Sequence, residues 1–105
     1  MREIFEGIKN ALERNENGAL VTITRTIGST PRKPGAKMLI LSGGQVVGTV
    51  GGGCVEGDIW REAKEVIRTG RPKKMSLRLT GDGESNSIAE LFIEPIGNEA
   101  PSINQ

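Results

Sequence analysis

The sequence contains no histidine and a single cysteine, Cys54, among its 105 residues. One cysteine excludes an intrachain disulfide and any metal site built from several cysteines of this chain. The absence of histidine excludes a histidine-containing catalytic triad and a histidine-ligated zinc site. If a thiol acts chemically here it is Cys54, and only carboxylates and lysines remain to serve as its base.

Aromatic residues are scarce, with two Phe, one Trp and no Tyr. At 35% hydrophobic residues, the core must be a thin one made of Val, Ile, Leu and Met, and such small domains often gain stability by self-association, which we expect here. Few aromatics also argue against base stacking, and so against a nucleic-acid partner. No apolar run approaches the roughly 20 residues of a membrane span and no signal peptide is evident. The sequence therefore predicts a cytoplasmic protein without a membrane partner.

Acidic residues are missing between Glu16 and Glu56, although the chain has 13 of them and a net charge of +1. Four basic residues lie in this stretch: Arg25, Arg32, Lys33 and Lys37. Most of the glycines lie there as well. Clustered positive charge raises the local concentration of anions, so we interpret the stretch as an anion-binding region. An ordinary solvated face is the alternative interpretation.

Hydrophobic periodicity predicts seven elements in the order α-β-β-β-α-β-β. Helices are predicted over 3–16 and from about 54 or 55 to 69. Strands are predicted over 19–27, over 75–79, over 88–96 and, as the two arms of a hairpin, over 38–50. Successive strands joined by short turns favour a mainly antiparallel or mixed sheet with two helices packed on it, an α+β domain. We expect this domain to span 1–97 and residues 98–105 to form a mobile tail.

The first predicted helix is amphipathic. Its apolar face comprises Ile4, Phe5, Ile8, Ala11 and Leu12. Because Asn and Gly tolerate the left-handed conformation at the end of a helix, Asn17-Gly18 is the predicted stop signal.

The stretch GTVGGGCVE at 48–56 joins the predicted hairpin to the second helix. The first N–H groups of a helix point outward without internal partners, and the helix dipole adds partial positive charge, so a helix start attracts anions. Glycines let an anion approach the backbone closely, which makes Gly51, Gly52 and Gly53 candidate binding residues. The pattern matches neither the dinucleotide-binding fingerprint nor the P-loop. A tight strand-to-helix turn is the structural alternative.

Cys54 falls in the first turn of the second predicted helix. There the positive end of the dipole favours the thiolate, whereas a small buried apolar residue is the alternative role. Glu56 follows two residues later and is a candidate acid or base, although an acidic side chain in the first turn also compensates the dipole. Both residues are therefore candidate site residues.

The stretch GSTPRKPGAK at 28–37 predicts a stiff basic loop, because its two prolines fix the backbone. Its hydroxyl and cationic donors are Ser29, Thr30, Arg32, Lys33 and Lys37. Donors without acceptor-only side chains suit phosphate or carboxylate groups, so all five are predicted to bind an anionic ligand. We expect Arg32 and Lys33 to lie within reach of the glycine loop, so that both loops face one cleft.

Together, GSTPRKPGAKML, GTVGGGCVE and the last strand, ELFIEPIG, resemble the N-terminal domain of the XdhC/CoxI family. Members of that family are accessory proteins of molybdenum hydroxylases such as xanthine dehydrogenase and carbon monoxide dehydrogenase. They bind and protect molybdenum cofactor and help in its sulfuration and insertion. The resemblance implies a chaperone rather than an enzyme, with a molybdenum hydroxylase apo-enzyme and a cysteine desulfurase as partners. The family's glycine-loop cysteine corresponds to Cys54, whose soft thiolate is the expected ligand of molybdenum.

The sequence departs from the family pattern in two places. Members carry a second Cys-Gly-Gly motif before the last strand, where this chain has GESNSIAE with Ser85 and Ser87. Members also continue into a Rossmann-like second domain. If this chain is complete, it is a single-domain relative that either has lost part of the function or works with a separately encoded second half. Two other functions stay open. One is a thiol enzyme or sulfur carrier in which Cys54 forms a covalent intermediate, and the other is a dimerisation module with a decayed ligand site.

Overall fold

The computed structural model describes residues 2–28, 34–48, 53–79 and 87–97. For residues 53–56, 79 and 87 it describes the backbone alone. The elements are α1 (Arg2–Glu13), β1 (Gly18–Ile27), β2 (Lys37–Leu41), β3 (Val46–Gly48), α2 (Gly53–Thr69), β4 (Lys73–Leu79) and β5 (Ser87–Ile96). The α+β class and the predicted order of elements are therefore confirmed. The predicted tail, 98–105, lies outside the described residues.

The five strands form one sheet in the order β3-β2-β1-β5-β4. Every pairing is antiparallel, with the long strand β1 at the centre. Pro95 is tolerated in β5 because the pairing of β4 with β5 begins at Lys73 opposite Ile93, so Pro95 lies past the end of β4. None of the described helices is both long and apolar enough to cross a membrane.

The two helices pack on opposite faces of this sheet. α2 covers β1, β5 and β4. The hydrophobic cluster between α2 and these strands includes the buried residues Val21, Ile59 and Leu91. α1 covers β2 and β3, where Leu20 and Leu39 belong to a smaller second cluster. Because side chains alternate along a strand, Leu20 and Val21 of β1 serve different faces. The thin core expected from the composition is thus divided into two clusters, one on each face of the sheet.

α1 ends earlier than predicted. Asn15 takes the left-handed conformation, with φ of 56°. The N–H of Glu16 donates to the carbonyl oxygen of Ala11 at 2.8 Å, and the N–H of Asn15 donates to that of Leu12 at 3.2 Å. These two bonds form a Schellman motif, which satisfies carbonyls of the last helical turn. The predicted stop at Asn17-Gly18 is therefore wrong, and Gly18 is the first residue of β1.

Only part of the predicted apolar face of α1 packs on the sheet. Ile4 and Ala11 are buried and Ile8 is half-buried, whereas Phe5 is 61% and Leu12 is 40% exposed. Each exposed residue follows a buried one in sequence and lies about 100° round the helix from it. The sheet covers the side of Ile4 and Ala11 and leaves the adjacent side uncovered.

The hairpin and the second helix form as predicted. β2 and β3 pair antiparallel with Met38 opposite Gly48, through a turn in which Gly44 has φ of 101°. α2 begins at Gly53, within two residues of its predicted start. Residues 49–52, which connect β3 to α2, are outside the described ranges.

Candidate functional site

The strand ends that border the predicted ligand-binding loops lie at one end of the sheet. β1 finishes where β5 begins, with Ile27 opposite Ile88, and β4 finishes at this end as well. β2 begins and β3 finishes on the same side, with Met38 opposite Gly48. The described residues at this end flank the segments 29–33, 49–52 and 80–86. The antiparallel topology thus brings together the borders of segments that are far apart in sequence.

The predicted site residues divide into three groups. Outside the described residues lie Ser29, Thr30, Arg32, Lys33, Gly51 and Gly52. Described through their backbone are Gly53, Cys54 and Glu56, which open α2. Lys37 is described in full. The predicted approach of Arg32 and Lys33 to the glycine loop therefore stays a prediction.

The start of α2 follows the glycine loop, as the anion-receptor interpretation requires. β3 ends at Gly48 and α2 starts at Gly53, so the glycine loop leads directly into a helix of 17 residues. Its first N–H groups have no partner within the helix, and the dipole places positive charge at them. Cys54 is the second residue of α2, which confirms its predicted position in the first turn.

Lys37 is the cation of the predicted set that the structure describes in full. It is half-buried at the start of β2, and its Nζ donates a hydrogen bond of 3.0 Å to Oγ1 of Thr22. Thr22 lies directly opposite on β1. An ammonium group has three donors, so the bond to Thr22 orients Lys37 and leaves donors for a ligand. Thr22 was not identified from the sequence, because its role depends on the register between β1 and β2.

Gly48, the first glycine of GTVGGGCVE, is required by backbone geometry. Its φ is 81°, and a Cβ there would lie 2.8 Å from the carbonyl oxygen of Lys37 and 3.0 Å from Cδ1 of Ile4. The absence of a side chain lets β3 run close to β2 and to α1. This close approach places the start of the glycine loop beside Lys37.

Arg25 and Lys37, two cations at this end of the sheet, differ in their acidic partners. Nη1 of Arg25 lies 4.0 Å from Oε1 of Glu90, and because both side chains are exposed this pair contributes little. Among the described residues, no carboxylate lies within 4.0 Å of the Lys37 ammonium. No group of three or more Cys, Asp or Glu that could hold a metal ion occurs in the described part of the chain. Lys37 therefore keeps an ammonium group that no described carboxylate neutralises.

Comparison with known proteins assigns these motifs to a family. Residues 11–79, which are more than half of the chain, match the profile of the XdhC and CoxI family. The chain belongs to the XdhC and CoxI family. The matched range includes GSTPRKPGAKML and GTVGGGCVE, with Lys37, Gly48 and Cys54, so the resemblance to the family is confirmed.

Three relatives show how far this family relationship extends. Uncharacterized protein YqeB of Escherichia coli is 34% identical over 80 residues, which are 76% of this chain and 15% of that protein. The molybdenum cofactor insertion chaperone PaoD of Escherichia coli is 34% identical over 74 residues, 70% of this chain and 23% of that protein. A probable xanthine dehydrogenase component of Bacillus subtilis is 44% identical over 50 residues, 48% of this chain and 15% of that protein.

A solved structure carries the same XdhC/CoxI fold. The crystal structure of a xanthine dehydrogenase from Bacillus halodurans matches with a TM-score of 0.74 and 28% identity, over 86% of this chain and 29% of that one. The chain therefore spans less than a third of each of these relatives. It is homologous to one part of a molybdenum cofactor insertion chaperone.

Proposed function

We propose that this XdhC/CoxI domain binds molybdenum cofactor, or a related anionic ligand, at the end of the sheet where α2 begins. We further propose that it assists maturation of a molybdenum hydroxylase such as xanthine or carbon monoxide dehydrogenase. Homology to the chaperone PaoD supports the class of function. The structural observation that carries the proposal is that the strand ends bordering the segments 29–33 and 49–52 lie at one end of the sheet. The segment 49–52 leads into the start of α2, and Lys37 opens β2 at the same end of the sheet.

The residues at this end fit the chemistry of the cofactor. Molybdenum cofactor is an anionic pterin with a terminal phosphate and a metal that accepts soft sulfur ligands. Lys37 or the first N–H groups of α2 would hold phosphate or oxo groups. Cys54 would offer its thiolate to the metal. The ligand would thus be held mainly through its anionic groups, with one soft contact from the protein.

The same proposal defines the partners. A chaperone of this kind hands its cargo to a molybdenum hydroxylase apo-enzyme, and a cysteine desulfurase would supply the sulfur for sulfuration. The larger relatives contain additional chain beyond the matched part.

The deciding experiment measures molybdenum content and the ultraviolet-visible absorbance of bound pterin after purification from a cofactor-producing host. The wild-type protein should retain both. The double variant Arg32→Ala, Lys33→Ala should bind the anionic ligand about 2–4 kcal/mol more weakly, counting about 1.5–3 kcal/mol for each charged hydrogen bond and discounting partial exposure.

A matched control removes the same charge from another surface. Arg61 and Lys64 are exposed residues of α2, and the variant Arg61→Ala, Lys64→Ala should keep the ligand. Equal losses in both double variants would show that general electrostatic attraction, rather than a site, holds the ligand. Absence of both molybdenum and pterin from the wild-type protein would contradict the proposal.

A further inference from the structure

α1 carries an apolar ridge that the described structure leaves uncovered. The ridge consists of Phe5 and Leu12, which are 61% and 40% exposed. Seven residues apart, they lie on the same side of the helix and about 10 Å apart along its axis. The helix meets the sheet on another side, where a Cβ on Gly7 would lie 2.8 Å from Cδ2 of Leu39. The Phe5–Leu12 ridge is therefore available to a partner.

A row of charged residues with alternating sign runs beside the ridge. Its members are Arg2, Glu6, Lys9 and Glu13, all exposed. They follow each other at intervals of three or four residues and so share one side of the helix. Within the described part of the chain none of the four forms an ion pair. If the row is read from Glu13 back to Arg2, each of its four positions has the opposite sign to the same position read forward.

We propose that the Phe5–Leu12 ridge is a self-association surface, on which α1 of a second copy docks antiparallel. A two-fold axis between the helices places Phe5 beside Leu12 of the second copy. The same placement brings Arg2 near Glu13 of the second copy and Glu6 near Lys9 of the second copy, and the symmetry repeats both pairs. A parallel two-fold arrangement would instead place the charged rows of the two copies on opposite sides of the contact, where they do not meet. The surface is thus self-complementary, as a two-fold interface requires.

The size of the surface indicates a weak dimer. Each copy contributes one face of a 12-residue helix, which buries less than the roughly 1,200 Å² of a standard stable interface. Association should therefore depend on protein concentration. This inference uses α1 alone and is independent of the proposed cofactor site.

Sedimentation velocity across protein concentrations from about 5 μM to about 500 μM tests the dimer with the full chain. The wild-type protein should pass from monomer to dimer. In the variant Phe5→Ser, Leu12→Ser, the dissociation constant should rise at least about tenfold, because the apolar contact is lost. Its circular dichroism should stay that of the wild type, since both side chains are exposed. A wild-type protein that stays monomeric throughout, or a folded variant that dimerises equally well, overturns the proposal.

Charge reversal tests the antiparallel arrangement separately. The variant Glu6→Lys, Glu13→Lys makes the charged row entirely positive, and Arg2→Glu, Lys9→Glu makes it entirely negative. Each variant alone should be monomeric, and their equimolar mixture should give a heterodimer in native mass spectrometry.

The control for charge reversal is Asp58→Lys, Glu65→Lys on α2. It has the same spacing along a helix and the same change in net charge, on exposed residues whose ion pairs contribute little. This control should dimerise like the wild type. If the two reversed variants do not pair on mixing, or if the control also abolishes the dimer, the antiparallel contact of α1 is not the interface.

Discussion

A Cβ atom on Gly48 would lie 2.8 Å from the carbonyl oxygen of Lys37, and Gly48 has φ of 81°. Two constraints therefore act on one residue of the hairpin. The positive φ disfavours any L side chain, and the close approach of β3 to β2 leaves no room for one. Because Lys37 is a candidate ligand of the cofactor, this contact also fixes the distance between Lys37 and the start of the glycine loop.

We expect Gly48→Ala to lower the free energy of unfolding by about 2–3 kcal/mol, about 1 kcal/mol from the positive φ and the rest from displacement of the strand. Chemical denaturation measures this loss. Gly44→Ala is the matched control, because Gly44 also has a positive φ, 101°, but a Cβ there meets no atom within 4 Å. That variant should lose only about 1 kcal/mol. Equal losses would show that the contact with Lys37 is not tight in solution.

Sequence patterns predict the type and order of the elements well, because these depend on local periodicity and turn residues. The end of α1 shows where such patterns fail. Asn15 and Asn17 are both able to adopt the left-handed conformation, and the choice of Asn15 follows from the bonds that Glu16 and Asn15 make to the last helical turn. Sequence patterns also did not predict that Phe5 is exposed. Periodicity identifies an apolar face of a helix but does not show how much of that face the sheet covers.

The candidate site is less accessible to prediction, because it depends on which strands pair and in which register. Lys37 was identified from its loop composition, but its partner Thr22 lies 15 positions earlier and on another strand. Of the strand order β3-β2-β1-β5-β4, which brings the loop borders to one end of the sheet, the sequence predicts the β2–β3 hairpin and not the remaining pairings. The motifs therefore indicate the chemistry of the site, whereas the strand order determines which loops lie next to each other.

Glu16 connects the end of α1 to the β2–β3 turn. Its Oε1 accepts a hydrogen bond from Arg14 Nη2 at 2.8 Å, and its Oε2 accepts one from the N–H of Gly43 at 3.0 Å. The bond from Arg14 and then the bond from Gly43 hold the pKa of Glu16 below its ordinary value of 4.5. A lowered pKa in the folded state stabilises the fold above the ordinary value, and this contribution is lost as the pH falls through the folded-state value.

We therefore expect wild type and Glu16→Gln to differ in urea midpoint at about pH 6 and to converge as the pH falls through the folded-state pKa of Glu16, because the variant carries no ionisable group at this position. The variant Arg14→Gln removes the larger of the two causes and leaves the bond from Gly43. It should therefore show an intermediate pH dependence. A difference between wild type and Glu16→Gln that is constant over this pH range would exclude the ionised Glu16 as its source.

Lys37→Met should weaken anion binding more than it affects folding. The methionine keeps most of the aliphatic stem and removes the ammonium, so we expect affinity for molybdate and inorganic phosphate to fall about tenfold, the equivalent of one charged hydrogen bond. The free energy of unfolding should change by no more than about 1 kcal/mol. Titration calorimetry and thermal unfolding measure the two quantities on the same samples.

The variant Thr22→Val separates the charge of Lys37 from its orientation. It removes the hydroxyl that accepts the hydrogen bond from Lys37 Nζ and leaves the ammonium in place. Anion affinity should then fall less than in Lys37→Met. If Lys37→Met binds both anions like the wild type, Lys37 is a structural residue of the β1–β2 pair and not part of the site.

Cys54 should react with iodoacetamide faster than a free thiol at about pH 7, because its place in the first turn of α2 favours the thiolate. The same protein unfolded in urea provides the internal reference. In Cys54→Ser the backbone amides of α2 remain, so inorganic phosphate should still bind. Retention of molybdenum cofactor should fall more sharply, since a serine oxygen is a poor substitute for a soft thiolate ligand.

The outcomes of the Cys54 experiment distinguish three roles. Fast alkylation with loss of molybdenum but not of phosphate binding in Cys54→Ser supports a metal ligand. A turnover that the wild type performs without any partner enzyme, and that Cys54→Ser abolishes, would instead show a thiol enzyme. A thiol that reacts only after unfolding, in a protein whose serine variant keeps the cofactor, would show that Cys54 is a packing residue. We expect the first outcome, because Cys54 is the one cysteine of the sequence and it stands beside the amides that would bind the anionic part of the ligand.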